Sequence, residues 1–172
     1  MNEIEVKVIE VEKNKAVRAL IKLGAKKVAQ GKQHTTAFDF PDCRLKKNKK
    51  MLRLREFSGR TFLTFKKLLS DDAARKSQEL EIDVSDIKVA EAVLLQLGLQ
   101  KSEGFTCYRE KYKIGSTLFE FQKYKGIPEY MEIEARSQRK ITEYVKKLKI
   151  NKDKVKTWGG REMRKYYGKP KS

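Results

Sequence analysis

The chain opens with MNEIEVKVIEV (residues 1–11), and this stretch decides how the rest of the sequence is interpreted. Apolar and charged residues alternate in it with period two, which predicts a β-strand with one apolar face. The opposite face carries Glu3, Glu5 and Lys7 in a row, with about 7 Å between successive side chains. A solvated face is the ordinary explanation of one such strand. A site that holds cations and anions together is the alternative, and the other strands decide between them.

The composition predicts one folded domain with an anion-binding character. The chain has 172 residues, of which 39% are hydrophobic and 37% are charged, and its net charge is +18. Such a surface attracts nucleic acid, phosphorylated small molecules or acidic membranes. The densest basic run is RLKKNKK (residues 44–50). We expect a single domain over residues 1–168, with a basic tail at residues 169–172.

Targeting and cysteine patterns indicate a cytoplasmic protein. No apolar run approaches the roughly 20 residues that span a bilayer, and no signal-peptide pattern is present. Neither membrane insertion nor a disulfide framework is therefore expected. Cys43 and Cys107 are the two cysteines, and neither lies in a metal-binding spacing.

Three segments share a strand-then-helix design that starts with Glu-apolar-Glu. They cover residues 3–24, 79–98 and 132–148. The predicted apolar stripes of their helices are Val17, Leu20 and Ile21; Val89, Val93, Leu94 and Leu97; and Ile141, Val145 and Leu148. Gly24 and Gly98 are predicted to end the first two helices, and Ser85 and Ser137 are predicted N-caps.

Further alternating segments lie between these units, at residues 51–57, 60–68, 105–114 and 116–124. Short turns containing glycine join them in pairs, which is typical of antiparallel hairpins. We expect about eight strands and three or four helices, in an α+β fold with an antiparallel sheet and helices outside it. A short last helix is expected to stop at Gly168.

Nearly every predicted strand has one apolar and one charged face. If the sheet closes into a barrel, it loses its edges and its charged faces meet inside. Two carboxylates about 5 Å apart repel by about 3 kcal/mol at an effective dielectric constant near 20, so such a channel needs cations. Mg²⁺ and Mn²⁺ favour carboxylate oxygens, and Arg and Lys remain to bind an anion. Carboxylates for a metal and cations for phosphate predict phosphoryl transfer.

These residues resemble the CYTH superfamily of triphosphate tunnel metalloenzymes. The resemblance rests on Glu3-x-Glu5-x-Lys7, the LRLR strand at residues 52–55, the second ExE at Glu79 and Glu81, and GIPEYMEIE at residues 126–134. It covers nearly the whole chain and is closest to class IV adenylyl cyclase-like proteins. It implies a closed antiparallel β-barrel of about eight strands that forms a triphosphate tunnel, with helices packed outside.

The resemblance also implies roles for individual residues, with Mg²⁺ or Mn²⁺ as cofactor. The acids that match metal-binding positions are Glu3, Glu5, Glu79, Glu81, Glu132 and Glu134. The bases that match triphosphate-binding positions are Lys7, Arg53, Arg55, Lys66, Arg109 and Lys111. Family members often carry Asp where Gln122 stands, and Glu120 on the same face is expected to compensate. The family pattern QxDxYF is here QHTTAF (residues 33–38), without its Asp and Tyr.

Several functional alternatives remain open at this point. The leading one is the conversion of ATP to cyclic AMP and pyrophosphate, and the second is hydrolysis of inorganic triphosphate, thiamine triphosphate or a nucleoside triphosphate. The third is a non-catalytic binder of polyphosphate or RNA. The expected partner is a nucleoside or other triphosphate rather than a membrane, and nucleic acid is a weaker candidate. The sequence leaves the oligomeric state open, a dimer included. His34 is expected on a surface loop.

Overall fold

A computed structural model describes residues 2–168, in which nine β-strands form one sheet. The predicted basic tail at residues 169–172 lies outside the described residues. The strands are β1 (Asn2–Val8), β2 (Lys26–Asp39), β3 (Lys50–Phe57), β4 (Arg60–Ser70), β5 (Arg75–Val84), β6 (Gln100–Ile114), β7 (Thr117–Tyr124), β8 (Tyr130–Ala135) and β9 (Val155–Lys156).

Five α-helices accompany the strands in the same region. They are α1 (Lys13–Lys22), α2 (Arg44–Lys47), α3 (Ile87–Gln96), α4 (Gln138–Lys147) and α5 (Gly160–Tyr166), and a 3-10 turn covers Lys152–Lys154. Gly24 and Gly98 follow α1 and α3 with φ of +87° and +84°, a left-handed conformation that an L side chain rarely adopts. None of the helices between residues 2 and 168 combines the length and the apolar character of a membrane span.

The sheet closes into an eight-stranded antiparallel barrel. Its strand order is β5-β4-β3-β2-β6-β7-β8-β1, and pairing between β1 and β5 completes the circle. β9 joins the free part of β1 outside this circle. Because closure pairs the strands all round, the polar side chains on the inner face of the barrel meet in one lumen. The predicted barrel with outer helices is confirmed.

Apolar residues on the outer face of the barrel pack against the helices in three clusters. α1 and α4 cover the first, which includes Val6, Phe119 and Ile133. α3 covers the second, through Leu94. α5 contributes Met163 to the third, beside Tyr130. The helices therefore hold the strands from outside and leave the lumen to polar side chains.

Three sequence-based predictions about elements were wrong. β2 was not predicted, because residues 26–39 carry polar residues on both faces and show no period-two contrast. The cap of α3 is Asp86, not Ser85: the Asp86 carboxylate accepts hydrogen bonds from the backbone N–H of Lys88 and Val89. Ser137 does cap α4, as predicted. His34 is exposed as expected, but it lies on β2 and not in a loop.

The predicted helix stripes are only partly buried. Ile141 and Val145 of α4 are buried, and Leu148 packs against them. In α1, Leu20 is buried whereas Ile21 is 57% exposed. In α3, Leu94 alone of the predicted stripe is buried, because the helix contacts the barrel along a narrow line. The remaining three stripe residues of α3 are Val89, Val93 and Leu97, and all are exposed.

Candidate active site

Lys66 on β4 lies among three carboxylates inside the barrel. Its Nζ is 2.8 Å from Glu3 Oε2, 3.2 Å from Glu5 Oε2 and 3.2 Å from Glu79 Oε2. The strand register explains this arrangement, because Lys66 and Glu79 are directly opposite each other on β4 and β5, and β1 pairs with the other edge of β5. Burial opposes the ammonium charge, but the three carboxylates outweigh it and raise the pKa of Lys66.

A second cluster surrounds Glu120 on β7. Its carboxylate accepts from Arg109 at 2.5 Å and from Lys111 at 2.6 Å, since both basic residues are on the neighbouring strand β6. Burial favours the neutral acid, yet the two cations prevail and lower the pKa of Glu120 to about 2. Glu120 is therefore ionised at neutral pH and paired with both cations.

Lys7 connects the first cluster to β8. Its Nζ lies 2.8 Å from Glu132 Oε1 and 3.5 Å from Glu5 Oε1. Lys7 and Glu132 are register partners on β1 and β8. Burial lowers the pKa of Lys7, but Glu132 and Glu5 raise it above its ordinary value. Glu5, which faces Lys7, Lys66 and Arg75, has its pKa lowered to about 2 despite burial.

The arginines of β3 form the third part of the lumen. Arg53 lies 3.5 Å from Glu79, and Arg55 pairs with Glu81, which also accepts from the Thr64 hydroxyl at 2.8 Å. The Nε atoms of Arg53, Arg55 and Arg109 are buried and have no hydrogen-bond acceptor among residues 2–168. A buried donor without an acceptor costs about 1–3 kcal/mol. Three such donors facing one lumen are therefore suited to an anion with several oxygens.

Two carboxylates of the lumen, Glu134 and Glu3, have raised pKa values. Burial, with Glu3 and Glu120 nearby, raises the pKa of Glu134 to about 8. Burial and the neighbouring Glu79 raise the pKa of Glu3 to about 7, although Lys66 acts in the other direction. The protein's own cations thus do not keep these two acids fully ionised at neutral pH.

This donor set suits a hard divalent cation. Its ligand atoms are carboxylate oxygens, which Mg²⁺ and Mn²⁺ prefer, and a bound cation would favour the ionised forms of Glu3 and Glu134. In the part of the chain that the structure describes, no three acidic, histidine or cysteine side chains are already arranged around a common point as a metal site. The ammonium group of Lys66 lies between the carboxylates there.

Gln122 is the centre of a buried hydrogen-bond network. Its amide nitrogen donates to Glu132 and, at 3.4 Å, to Glu120. Its amide oxygen accepts from Tyr130 at 2.9 Å and from Tyr124 at 3.2 Å. Gln122 itself is 1% exposed, so the amide at the centre of the network is shielded from bulk water. The amide therefore fixes the positions of two carboxylates instead of adding a third.

The side chains of all the sequence-predicted site residues lie in the lumen, and most of them belong to the three ion-pair clusters. Glu81 lies at its edge, with a side chain that is 34% exposed. Two lumen residues were not predicted from the sequence. Arg75 is opposite Glu5 in the register and 3.7 Å from its carboxylate, and Ser77 has a buried hydroxyl. The period-two pattern of Glu79 and Glu81, continued toward the start of β5, would have found both residues.

The chain is similar to proteins of one family over most of its length. The CYTH domain profile matches residues 1–158. A Methanocaldococcus jannaschii protein named "Putative adenylate cyclase" is 26% identical over 164 residues, which cover 90% of this chain and 94% of that protein. A Pyrococcus horikoshii OT3 structure has a TM-score of 0.78 at 24% identity, and the match covers 94% of this chain and 98% of that one.

A plant structure shares the fold at lower identity. It belongs to a Hippeastrum protein, a "putative adenylyl cyclase" that is described as revealing a dominant triphosphatase activity. Its TM-score is 0.70 at 15% identity, with 98% of this chain and 96% of that chain covered.

Proposed function

The chain belongs to the CYTH domain family, and from this premise we propose that it is a divalent-metal-dependent enzyme that cleaves a triphosphate inside its barrel. The observation that carries the proposal is the set of three buried guanidinium Nε donors, on Arg53, Arg55 and Arg109, that face the same lumen as the carboxylates. Anionic oxygens would complete their hydrogen bonds, and a triphosphate supplies many such oxygens in a row.

The proposed division of labour follows the clusters. Arg53, Arg55 and Arg109, with Lys7, Lys66 and Lys111, would bind the phosphate chain. Glu3, Glu5, Glu79, Glu81, Glu120, Glu132 and Glu134 would provide the oxygen ligands from which the site for Mg²⁺ or Mn²⁺ is drawn. When bound, the metal ion would neutralise phosphate charge and orient the reacting phosphorus. Gln122 would hold Glu120 and Glu132 in place.

The protein's own residues would act by position and charge. The guanidinium and ammonium groups are held by ion pairs before the substrate arrives, so little reorganisation would be needed during the reaction. Burial of Arg53 and Arg109 strengthens each contact to phosphate, because the effective dielectric constant inside the barrel is below that of water. Charge that develops on a leaving phosphate group would be stabilised in the same way.

We propose cyclisation of ATP as the reaction, with hydrolysis as the alternative. In cyclisation, the ribose 3′-oxygen forms a bond to the α-phosphorus, its proton is released, and the bond to the pyrophosphate leaving group breaks. In hydrolysis, a water oxygen bonds to the terminal phosphorus and the diphosphate leaves. The name of the M. jannaschii relative supports the first reaction. The dominant triphosphatase activity described for the Hippeastrum protein is a reason to test the second.

One assay separates these reactions. The pure protein is incubated with ATP, thiamine triphosphate or inorganic triphosphate, each with Mg²⁺, Mn²⁺ or EDTA, and products are quantified by phosphorus NMR and chromatography. Cyclic AMP with equimolar pyrophosphate supports the cyclase, and released orthophosphate supports the triphosphatase. Binding of triphosphate that survives EDTA, with no turnover of any substrate, would show a non-catalytic polyanion binder and overturn the enzymatic proposal.

A further inference from the structure

The outer side of β5 and one flank of α3 together expose a row of large apolar side chains. Leu80, Ile82, Val89, Val93 and Leu97 each leave between 53% and 65% of their surface in water. We name this surface the β5–α3 patch. Single exposed apolar residues are ordinary on proteins, but five of them on two consecutive elements indicate an interaction site.

The fold places the two halves of the patch side by side. α3 packs on the barrel through Ala90 and Leu94, and a salt bridge of 2.7 Å joins Glu91 to Lys101 on β6. Successive helical residues rotate by about 100°, so Val93 is on the flank opposite Glu91. In the sheet order β5-β4-β3-β2-β6, the flank away from β6 is directed toward β5.

The outer face of β5 completes the surface. Its inward side chains are Glu79 and Glu81, so the alternate residues Leu80 and Ile82 face outward. Within the described residues, β1 pairs with β5 only as far as Gln78, and residues 80–84 have β4 as their sole strand neighbour. An unpaired strand edge beside an apolar face is a template for another strand.

From these features we propose that the β5–α3 patch binds a second copy of this chain about a two-fold axis. The charge distribution favours this occupant. Self-association of a chain with net charge +18 is opposed by repulsion, and the patch lies where that repulsion is weakest. Apart from the lumen residue Glu81, residues 80–97 contain three acidic residues, Asp83, Asp86 and Glu91, and a single lysine, whereas the rest of the chain is strongly basic.

A second copy can cover the rim of the patch without leaving a buried charge unpaired. Asp83 is bound by Arg60 at 2.6 Å, Glu91 is bound by Lys101, and Asp86 accepts the backbone N–H groups at the start of α3. An acidic partner protein would instead be drawn to the basic faces of the chain. A two-fold axis also makes a strand edge antiparallel to its own copy, which is the geometry that an open edge requires.

The composition of the patch matches that of a dimer interface. A stable interface covers about 800 Å² on each partner and has an apolar centre with a polar rim. Five large side chains, each more than half exposed, supply the centre, and the backbone edge with the paired charges supplies the rim. The same side chains of α3 were expected in the core of a monomer, and a dimer would bury them after all.

The test is the molar mass of nuclease-treated, full-length protein at about 50 μM, measured by light scattering after size exclusion in 0.15 M and 1 M NaCl. We expect the mass of two 20.1 kDa chains at both salt concentrations. High salt screens repulsion between the copies and leaves apolar contacts intact. A single-chain mass in both buffers overturns the proposal, as does a dimer that dissociates in 1 M NaCl.

Variants identify the surface. Val93→Lys and Ile82→Lys each occur twice in a symmetric dimer and should raise its dissociation constant by at least about tenfold. Ile21→Lys on α1 is the matched control, since Ile21 is 57% exposed but lies outside the patch, and it should remain a dimer. Circular dichroism and thermal melting check that each variant is folded. Dimers that persist in both patch variants, or dissociate only in Ile21→Lys, would place the interface elsewhere and overturn the assignment.

Discussion

The ammonium nitrogen of Lys66 lies 2.8 Å from the carboxylate of Glu3, although 63 positions separate the two residues in the chain. Closure of the barrel creates this contact, because β1 and β4 are the two neighbours of β5. The same contact brings together the acids proposed for the metal and a cation proposed for phosphate. Its consequences can be measured separately for activity and for stability.

Substitution of Glu3 should separate activity from folding. The pKa of Glu3 is raised to about 7, so replacing this carboxyl with a neutral amide should cost the folded state little stability. Turnover should fall at least 100-fold, because Glu3→Gln removes a proposed metal ligand. Glu5→Gln should abolish turnover too, but at a cost in stability of about 3–5 kcal/mol, because Glu5 neutralises buried Lys7 and Lys66. Turnover by the assay above and urea denaturation are the measurements.

Glu56→Gln is the control for both variants, since Glu56 is exposed and lies on the outer face of β3. It changes the net charge equally without changing the lumen. Wild-type turnover in Glu3→Gln and Glu5→Gln alike would show that the lumen is not the active site.

Arg53 and Arg55 should contribute specifically to triphosphate affinity. Each Arg→Ala variant should weaken binding of inorganic triphosphate by about 1.5–3 kcal/mol, or roughly 10- to 150-fold, since a charge-assisted hydrogen bond to a phosphate oxygen is lost. Titration calorimetry in the presence of Mg²⁺ measures this effect. Lys47→Ala is the control, because Lys47 is exposed and carries the same charge. Equal small losses at all three positions would mean that only diffuse surface charge attracts the ligand.

Stability without metal should depend on pH through Glu134. Its folded pKa of about 8 exceeds the ordinary 4.5, so the folded state retains a proton that the unfolded state has released between these values. Stability from this group is complete below about pH 4.5 and is lost as the pH rises toward 8. Glu5 and Glu120, with pKa values lowered to about 2, act oppositely and lose their contribution as the pH falls from 4.5 toward 2. Thermal melts in EDTA should therefore show maximal stability near pH 5.

Glu134→Gln tests the origin of that dependence. A neutral amide cannot ionise, so the variant should be more stable than the wild type at pH 8 by on the order of 2 kcal/mol and nearly equal to it at pH 5. Mg²⁺ should stabilise the wild type more at pH 8 than at pH 5, because its ligands must be deprotonated. A wild-type melting temperature that rises from pH 5 to pH 8 in EDTA would contradict the expected surplus of acidic charge.

The sequence predicted the direction of side chains better than it predicted their neighbours. Period-two alternation placed Lys66 and Glu79 on inward faces, since that property is local to each strand. It could not show that Lys66 faces Glu3 and Glu5 as well, because that contact depends on which strands meet when the barrel closes. Arg75 could have been predicted, because residues 75, 77, 79 and 81 lie on the same face of β5.

Helical periodicity failed in a different way at α3. Val89, Val93 and Leu97 have the spacing of a buried stripe, yet the barrel contacts only the adjacent line through Ala90 and Leu94. Apolar spacing shows that a helix face avoids water, but it does not show whether the same chain covers that face. The three residues that were wrongly predicted to be buried are therefore part of the evidence for the β5–α3 patch.

Gln122 provides the last test, because its role depends on the network around it. The resemblance to the family implies an Asp at this position, and a carboxylate binds a hard cation more strongly than an amide does. In the structure the amide donates to Glu120 and Glu132 while its oxygen accepts from two tyrosines. Gln122→Asp would keep an acceptor for the tyrosines, but it would place a third carboxylate beside the other two.

We therefore expect Gln122→Asp to have opposite effects with and without metal. In EDTA its melting temperature should fall, since like charges meet in a buried site and two donors are lost. With Mg²⁺ or Mn²⁺ present, the metal concentration for half-maximal turnover should also fall, because a hard cation binds an added carboxylate strongly. Glu120→Gln should raise that concentration and leave Arg109 and Lys111 without their buried counter-charge. Gln122→Asn, which shortens the side chain without adding charge, is the control for geometry. If Gln122→Asp and Gln122→Asn respond identically to metal, charge at this position does not reach the metal, and β7 contributes only to the positioning of the phosphate-binding cations.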